Sequence, residues 1–166
     1  MVARFTLSRR ARGERGAVAV EFALIMPFLC LLVFGILEFG YMINRDMLVG
    51  NASRDGARVG SLAGTYADIC KSIKSELSSM SIPVPNAAAP TNCATDASSA
   101  TTISIDCKKV DGTACSATSS TYDTLAVSGA TTIVKVTYNH TLITPFISSV
   151  LGDVVTLAQS TQMRVE

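Results

Sequence analysis

Three kinds of side chain in this sequence have the makings of chemistry: a carboxylate at the edge of an apolar run, a group of cysteines, and one histidine. The carboxylate is Glu21, five residues after Gly16 in Gly16-Ala17-Val18-Ala19-Val20-Glu21. A long apolar run comes directly after it. In hydrocarbon a lone carboxylate costs at least about 2.5 kcal/mol, so such a group is usually paired or functional. The plainer alternative puts Glu21 at the membrane interface, favoured by the positive end of a helix dipole.

The cysteines are Cys30, Cys70, Cys93, Cys107 and Cys115. Cys30 falls within the apolar run and reads as a membrane-buried apolar side chain. The other four allow three disulfide connectivities, which spacing alone does not separate. Cys107 and Cys115 flank a stretch containing the turn signal Asp111-Gly112. The pairing expected is therefore Cys107–Cys115 with Cys70–Cys93, which suits an oxidising envelope compartment. A metal site is the rival, weakened by the lack of a CxxC and by a single histidine. That histidine, His140, is expected at the surface or in a loop, with no Ser or Cys arrangement around it that reads as a triad. No phosphate loop occurs either. The expectation is no catalytic residue, no metal, no cofactor and no enzyme activity.

The elements that must position these groups begin with the apolar run. Of the 166 residues 48% are hydrophobic and only 16% charged, against about 25% charged in an average soluble protein. Residues 17–43 exceed the roughly 20 that a bilayer core requires. Between Glu21 and Glu38 the run carries no charge. The net charge of +1 hides an asymmetry: Arg4, Arg9, Arg10, Arg12 and Arg15 crowd the start against Glu14 alone. A basic arm can bind nucleic acid. Beside a span it marks the cytoplasmic side, so the partner expected is the lipid bilayer and not nucleic acid. The N-terminus is then inside and the C-terminal domain outside. The run is too long for a secretory signal peptide, and no small-x-small site ends it. Leu29 before Cys30 does not fit a lipoprotein site.

Residues 1–16 read as a basic leader, and a helix runs from Ala17 through Pro27, where a kink is expected. It continues past the membrane with Leu48, Ala52 and Val59 as a weak apolar stripe among Gly50, Gly56 and Gly60, and breaks between Gly60 and Gly64. A second helix starts at Thr65, with Asp68 completing a capping-box-like pair. Ile69, Ile73, Leu77 and Met80 come next at helical spacing, and Pro83 and Pro85 end it. Alternation predicts strands over 101–107, 131–139 and 154–165, with a short extra strand possible at Leu125 to Val127. Phe146, Ile147, Val150 and Leu151, between Pro145 and Gly152, are expected to pack on the core or form a short helix. The fold class expected is α+β: a long transmembrane helix leading into a small periplasmic domain (44–166) with a second helix and an antiparallel sheet of three to four strands.

Gly16 to Leu24, then Pro27, then Phe34-Gly35-Ile36-Leu37-Glu38-Phe39-Gly40, then Asn51-Ala52-Ser53-Arg54-Asp55-Gly56-Ala57-Arg58 resemble the TadE-like family of bacterial tight-adherence (Tad, Flp or type IVc) pilus proteins. These pieces occur in order across about residues 15–60. The resemblance implies a minor pilin or pseudopilin of TadE or TadF type, in the inner membrane and possibly incorporated into an extracellular pilus. A prepilin peptidase would cut it after Gly16. It would support pilus assembly, adherence and biofilm formation beside other pilin-like subunits and the Tad platform. Ala17 would then carry the new amine and Glu21 would pair with it, in its own or a neighbouring subunit. Such pairing would offset the burial cost and fix register.

Further assembly contacts are expected among Pro27, Glu38, Gly40, Arg54, Asp55 and Arg58. Each also has an ordinary reading. Glu38 is expected to be solvated at the outer interface, or else to meet a cation in a partner. Gly35 and Gly40 are common residue types in any membrane helix. Arg54, Asp55 and Arg58 read as a solvated face or local ion pairs worth about 0–1 kcal/mol each. The alternative to the pilus reading is a single-span envelope anchor or sensor with a periplasmic binding domain.

Overall fold

The computed structural model describes residues 11–79, 81–85, 89, 93, 99–115, 121–144, 148–149 and 152–166. Its elements run in the order α1 (Ala11–Ser61), α2 (Tyr66–Ser79), β1 (Thr101–Lys108), α3 (Tyr122–Leu125), β2 (Thr131–Thr141) and β3 (Val154–Arg164). This is α+β. The chain divides into two compact units, Met1–Phe39 and Gly40–Glu166. Most of the leader, together with Met80, Phe146, Ile147, Val150 and Leu151, lies outside the described residues.

The first unit contributes the apolar part of α1. The helix passes unbroken through Pro27. Its large side chains, Phe22, Leu24, Phe28 and Leu37 among them, are exposed. The most apolar stretch of α1 has a mean hydropathy of 2.5 and none of it is buried. A soluble core helix would be covered, whereas a lipid-facing helix leaves its surface bare to hydrocarbon. Among the described residues α1 is the one helix long and apolar enough to cross a membrane.

In the second unit the end of α1 and all of α2 pack with a three-stranded antiparallel sheet of order β1-β2-β3. The strand expectations hold in position and phase. Thr101, Ile103, Ile105 and Cys107 of β1 share the buried face with Thr132, Val134 and Val136 of β2. Ile105 stands opposite Val134, and Thr132 opposite Met163. Val49, Ala52 and Ala57 of α1 and Ile69, Ile73 and Leu77 of α2 complete one core with them.

Both helix ends have visible causes. α1 stops as Gly64 N–H bonds the Val59 carbonyl at 3.1 Å and Ala63 N–H the Gly60 carbonyl at 3.2 Å. This is a Schellman closure with Ala63 left-handed at φ 57°. α2 closes in the same way through Ser81 and Ile82, before Pro83 is reached. At its start, Thr65 Oγ1 accepts from Asp68 N–H at 3.2 Å and Thr65 N–H donates to Asp68 Oδ2 at 3.2 Å, a capping box.

Three expectations are corrected. Leu125 to Val127 is not a strand: Leu125 ends α3, and Ala126 N–H closes the turn on Tyr122 O at 2.8 Å. Tyr122 causes this, because its fully buried ring and its 2.6 Å hydrogen bond with Thr132 hold that turn against the sheet. His140 is not at the surface but 2% exposed within β2. Its even number puts it in phase with Thr132, Val134 and Val136, so strand periodicity turns it inward despite its polarity. Glu38 is not solvated but 4% exposed. It lies on the helical face that continues through Met42, Arg45, Val49 and Ala52, at the spacing of three and four that defines one side of a helix.

Two glycines of α1 differ in what stands over them. A Cβ added at Gly60 would stand 2.6 Å from Thr132 Cγ2 and 3.0 Å from the Tyr122 hydroxyl. Thr132 is in the central strand and cannot retreat. Gly50 is looser, its nearest atom being Gln159 Cγ at 3.7 Å. Gly60→Ala is therefore expected to lower stability by about 1–3 kcal/mol, the usual cost of overpacking. Gly50→Ala should be neutral or gain up to about 1 kcal/mol of helix propensity. Urea unfolding of the two variants beside the wild type checks the contrast.

Candidate processing site and assembly face

Gly16, Ala17 and Glu21 all sit on α1 with exposed side chains or backbone. A Cβ built on Gly16 meets nothing within 4 Å. No described atom outside the helix stands where a side chain at residue 16 would project. Ala17 and Glu21 are four residues apart on a continuous helix, so they share a face, one turn from each other. Pro27 is exposed, and Gly40 is also free of neighbours within 4 Å of an added Cβ.

The segment from Asn51 to Arg58 splits cleanly by side. Ala52, Ser53, Gly56 and Ala57 are buried, while Asn51, Arg54, Asp55 and Arg58 are exposed. The buried four are small because α2 and the sheet come close. A Cβ on Gly56 would stand 2.5 Å from Ile73, and the Ser53 hydroxyl is 2.8 Å from that of Thr161. The exposed four, with Glu76 of α2 and Met163 of β3, line an open groove of about 370 Å3. Asp55 is held in place by a 2.6 Å hydrogen bond donated by Ser72. No cysteine or histidine lines the groove, so its resources are fixed charge and hydrogen bonding. The exposure of Arg54, Asp55 and Arg58 agrees with their reading as a solvated face, while the partners of the small residues come only from the structure.

The cysteines outside α1 form two disulfides, Cys70–Cys93 and Cys107–Cys115, the pairing expected. All four residues are buried, and Cys30 is free. Burial raises the Tyr122 hydroxyl above its ordinary pKa, although its hydrogen bond with Thr132 opposes this. Burial also lowers the Lys74 amine, which donates to the Ala89 carbonyl at 3.0 Å. The hydrogen bond from the Thr65 hydroxyl holds the Asp68 carboxyl below its usual range.

Together these features define a class: an N-terminal apolar helix that fits a single-pass membrane protein, continuing into a small disulfide-bonded α+β domain. Residues 16–58 match the family model described as TadE-like protein. The match runs from Gly16, ahead of the apolar stretch of α1, to Arg58 at the edge of the groove. At family level it associates the chain with the Tad pilus and its components. No curated protein and no solved structure matches the chain.

Proposed function

We propose that this chain is a minor pilin or pseudopilin of the Tad machine, cut by a prepilin peptidase between Gly16 and Ala17. In this reading residues 1–16 are a cytoplasmic leader, 17–43 span the inner membrane and 44–166 form a periplasmic domain. The subunit supports pilus assembly, adherence and biofilm formation and performs no catalysis itself. The observation that carries the reading is the exposed Gly16 ahead of a bare apolar helix that holds Glu21, inside the TadE-like segment.

The chemistry is done to the chain. Proteases bind the bond they cut in an extended form, so the helix must open at residue 16. Glycine lowers that cost, being about 1 kcal/mol less favourable in a helix than alanine. It also leaves the carbonyl unshielded. Cutting creates an amine on Ala17, and Glu21 lies one turn away on the same face or within reach of a neighbouring helix. Intact mass of the protein from its native host tests the cut. A mature start at Ala17 is expected, and a start at Met1 overturns the proposal in favour of an uncut anchor.

Glu21→Ala separates the cut from the later docking of subunits. The variant should still be shortened to Ala17, while surface pili drop sharply, because the buried pairing that sets register is gone. Electron microscopy of pili together with an immunoblot for the shortened chain reads both. Undiminished piliation would remove the pairing role from Glu21.

A further inference from the structure

We propose that β3 accepts an added strand along its outer edge, and that the occupant is an extended segment of a partner protein with carboxylates at alternate positions. The order β1-β2-β3 leaves β3 at an edge. Its pairing with β2 fixes which backbone groups are spare. The Asp153 carbonyl accepts from Leu142 N–H at 3.0 Å, and Val165 N–H donates to the Ala130 carbonyl at 2.8 Å. Odd-numbered residues therefore bond β2 through an unbroken register, and even-numbered ones turn N–H and C=O outward. Glu166, the next even residue, behaves in this way: its N–H points away from β2 to the Ser61 carbonyl at 2.9 Å. Among the described residues no backbone group bonds the outward N–H and C=O of Thr156, Ala158, Ser160 and Gln162.

Natural sheet edges are commonly short, charged, bulged or interrupted by proline. β3 is 11 residues long, and from Val154 to Met163 it holds no charge and no proline. β1, at the other edge, carries Asp106 and Lys108 and is bridged at its end by Ala114. A long bare edge is a template for strand addition. The neighbouring face of α1 sets the chemistry of the occupant. β3 runs alongside α1: Gln159 Nε2 donates to the Asp46 carboxylate at 2.9 Å, Thr161 Oγ1 lies 2.8 Å from Ser53 Oγ, and Glu166 meets Ser61. Arg54 is one turn from Gly50, which lies against Gln159, and Arg58 is three residues before Ser61. Both arginines therefore stand on the β3 side of the groove that Met163 lines. The acids of the groove belong to its α2 side, since Asp55 accepts from Ser72 and Glu76 is part of α2. Arg54 and Arg58 are about 6 Å apart along the helix. Alternate residues of a strand are about 6.8 Å apart. Two carboxylates at i and i+2 of an added strand match that spacing. The inference is independent of cleavage at Gly16 and of any pilus role.

A fluorescein-labelled peptide alternating valine and glutamate tests it, by anisotropy against the full chain in neutral detergent. Saturable binding is expected, weakening as salt rises, with slower hydrogen exchange across residues 154–164. A peptide alternating valine and lysine should not bind. The valine–glutamate peptide methylated on its backbone nitrogens keeps its charge, loses its strand donors and should not bind either. Arg54→Gln with Arg58→Gln should weaken binding about tenfold, as two partly exposed ion pairs would. Ser160→Pro removes one outward N–H and no bond to β2, and should abolish binding. Equal binding of the methylated peptide, or binding undiminished by Ser160→Pro, overturns strand addition. Equal binding of the lysine peptide, or binding undiminished in the arginine variant, overturns the acidic occupant. A chain that binds no peptide overturns the proposal as well; if it elutes as a dimer that Ser160→Pro dissociates, a second copy fills the edge instead.

Discussion

A Gly16→Leu chain is expected to remain entirely at precursor length in its native host, where the proposal has the wild type shortened to begin at Ala17. This is the largest effect proposed, because it is a loss and not a shift. Structure does not oppose the leucine: a Cβ at residue 16 meets nothing within 4 Å. Folding and membrane insertion should therefore be unchanged, and any loss of processing belongs to the encounter with the peptidase. Two physical effects act together there. A branched side chain shields the carbonyl that must be attacked. Leucine also stabilises the helix by nearly 1 kcal/mol relative to glycine, so the bond opens less readily. Gly40→Leu serves as the control, since it too has no neighbour within 4 Å of an added Cβ but stands 24 residues after Gly16. Immunoblotting and intact mass decide the matter. A Gly16→Leu chain cut as fast as the wild type would move the processing site elsewhere.

Removing the Cys70–Cys93 bridge is the second large effect. The bond closes a loop with a sequence separation of 23, and Cys107–Cys115 one of 8. Chain entropy assigns about 3.4 kcal/mol to the first and about 2.6 kcal/mol to the second. Domains of this kind hold only about 5–15 kcal/mol in total. Cys70→Ala with Cys93→Ala should therefore consume a large share of the stability, and Cys107→Ala with Cys115→Ala somewhat less. The longer loop also tethers the segment after α2 to the core, since Cys70 and Cys93 are both buried beside Ile69 and Ile73. Urea unfolding of each double variant in detergent measures the ranking. Equal midpoints for the two variants would show that strain or residual structure in the unfolded chain outweighs loop length.

Much of the fold is legible in the sequence because its causes are local. Thr65 and Asp68 announce the start of α2 by their own chemistry, and the period-2 runs of β1, β2 and β3 carry the burial phase of the sheet. Leu125 to Val127 departs from its strand pattern for a non-local reason. Its residues suit a strand, but Tyr122 reaches Thr132 ten residues away and holds the turn as helix. Glu38 and His140 mislead because residue type points outward where phase points inward: His140 is in phase with buried Thr132, Val134 and Val136, and Glu38 with half-buried Met42 and Arg45 and buried Val49 and Ala52. The candidate site is legible at Gly16 and Glu21, where a charge interrupts an apolar run. Between Asn51 and Arg58 the solvated side is legible in its charges, but not what the small residues pack against or that Glu76 and Met163 join the exposed four.

The sequence by itself determined the long apolar helix, the basic stretch before it and the order of helices and strands, because hydropathy, charge and short-range spacing act within a few residues. Only the tertiary structure decided that Gly56 and Gly60 are points of contact, that Arg54, Asp55 and Arg58 face an open groove with Glu76 and Met163, and that His140 lies against Tyr41. Those facts depend on which surfaces meet across long stretches of chain, and close packing settles that only when α1, α2 and the sheet come together.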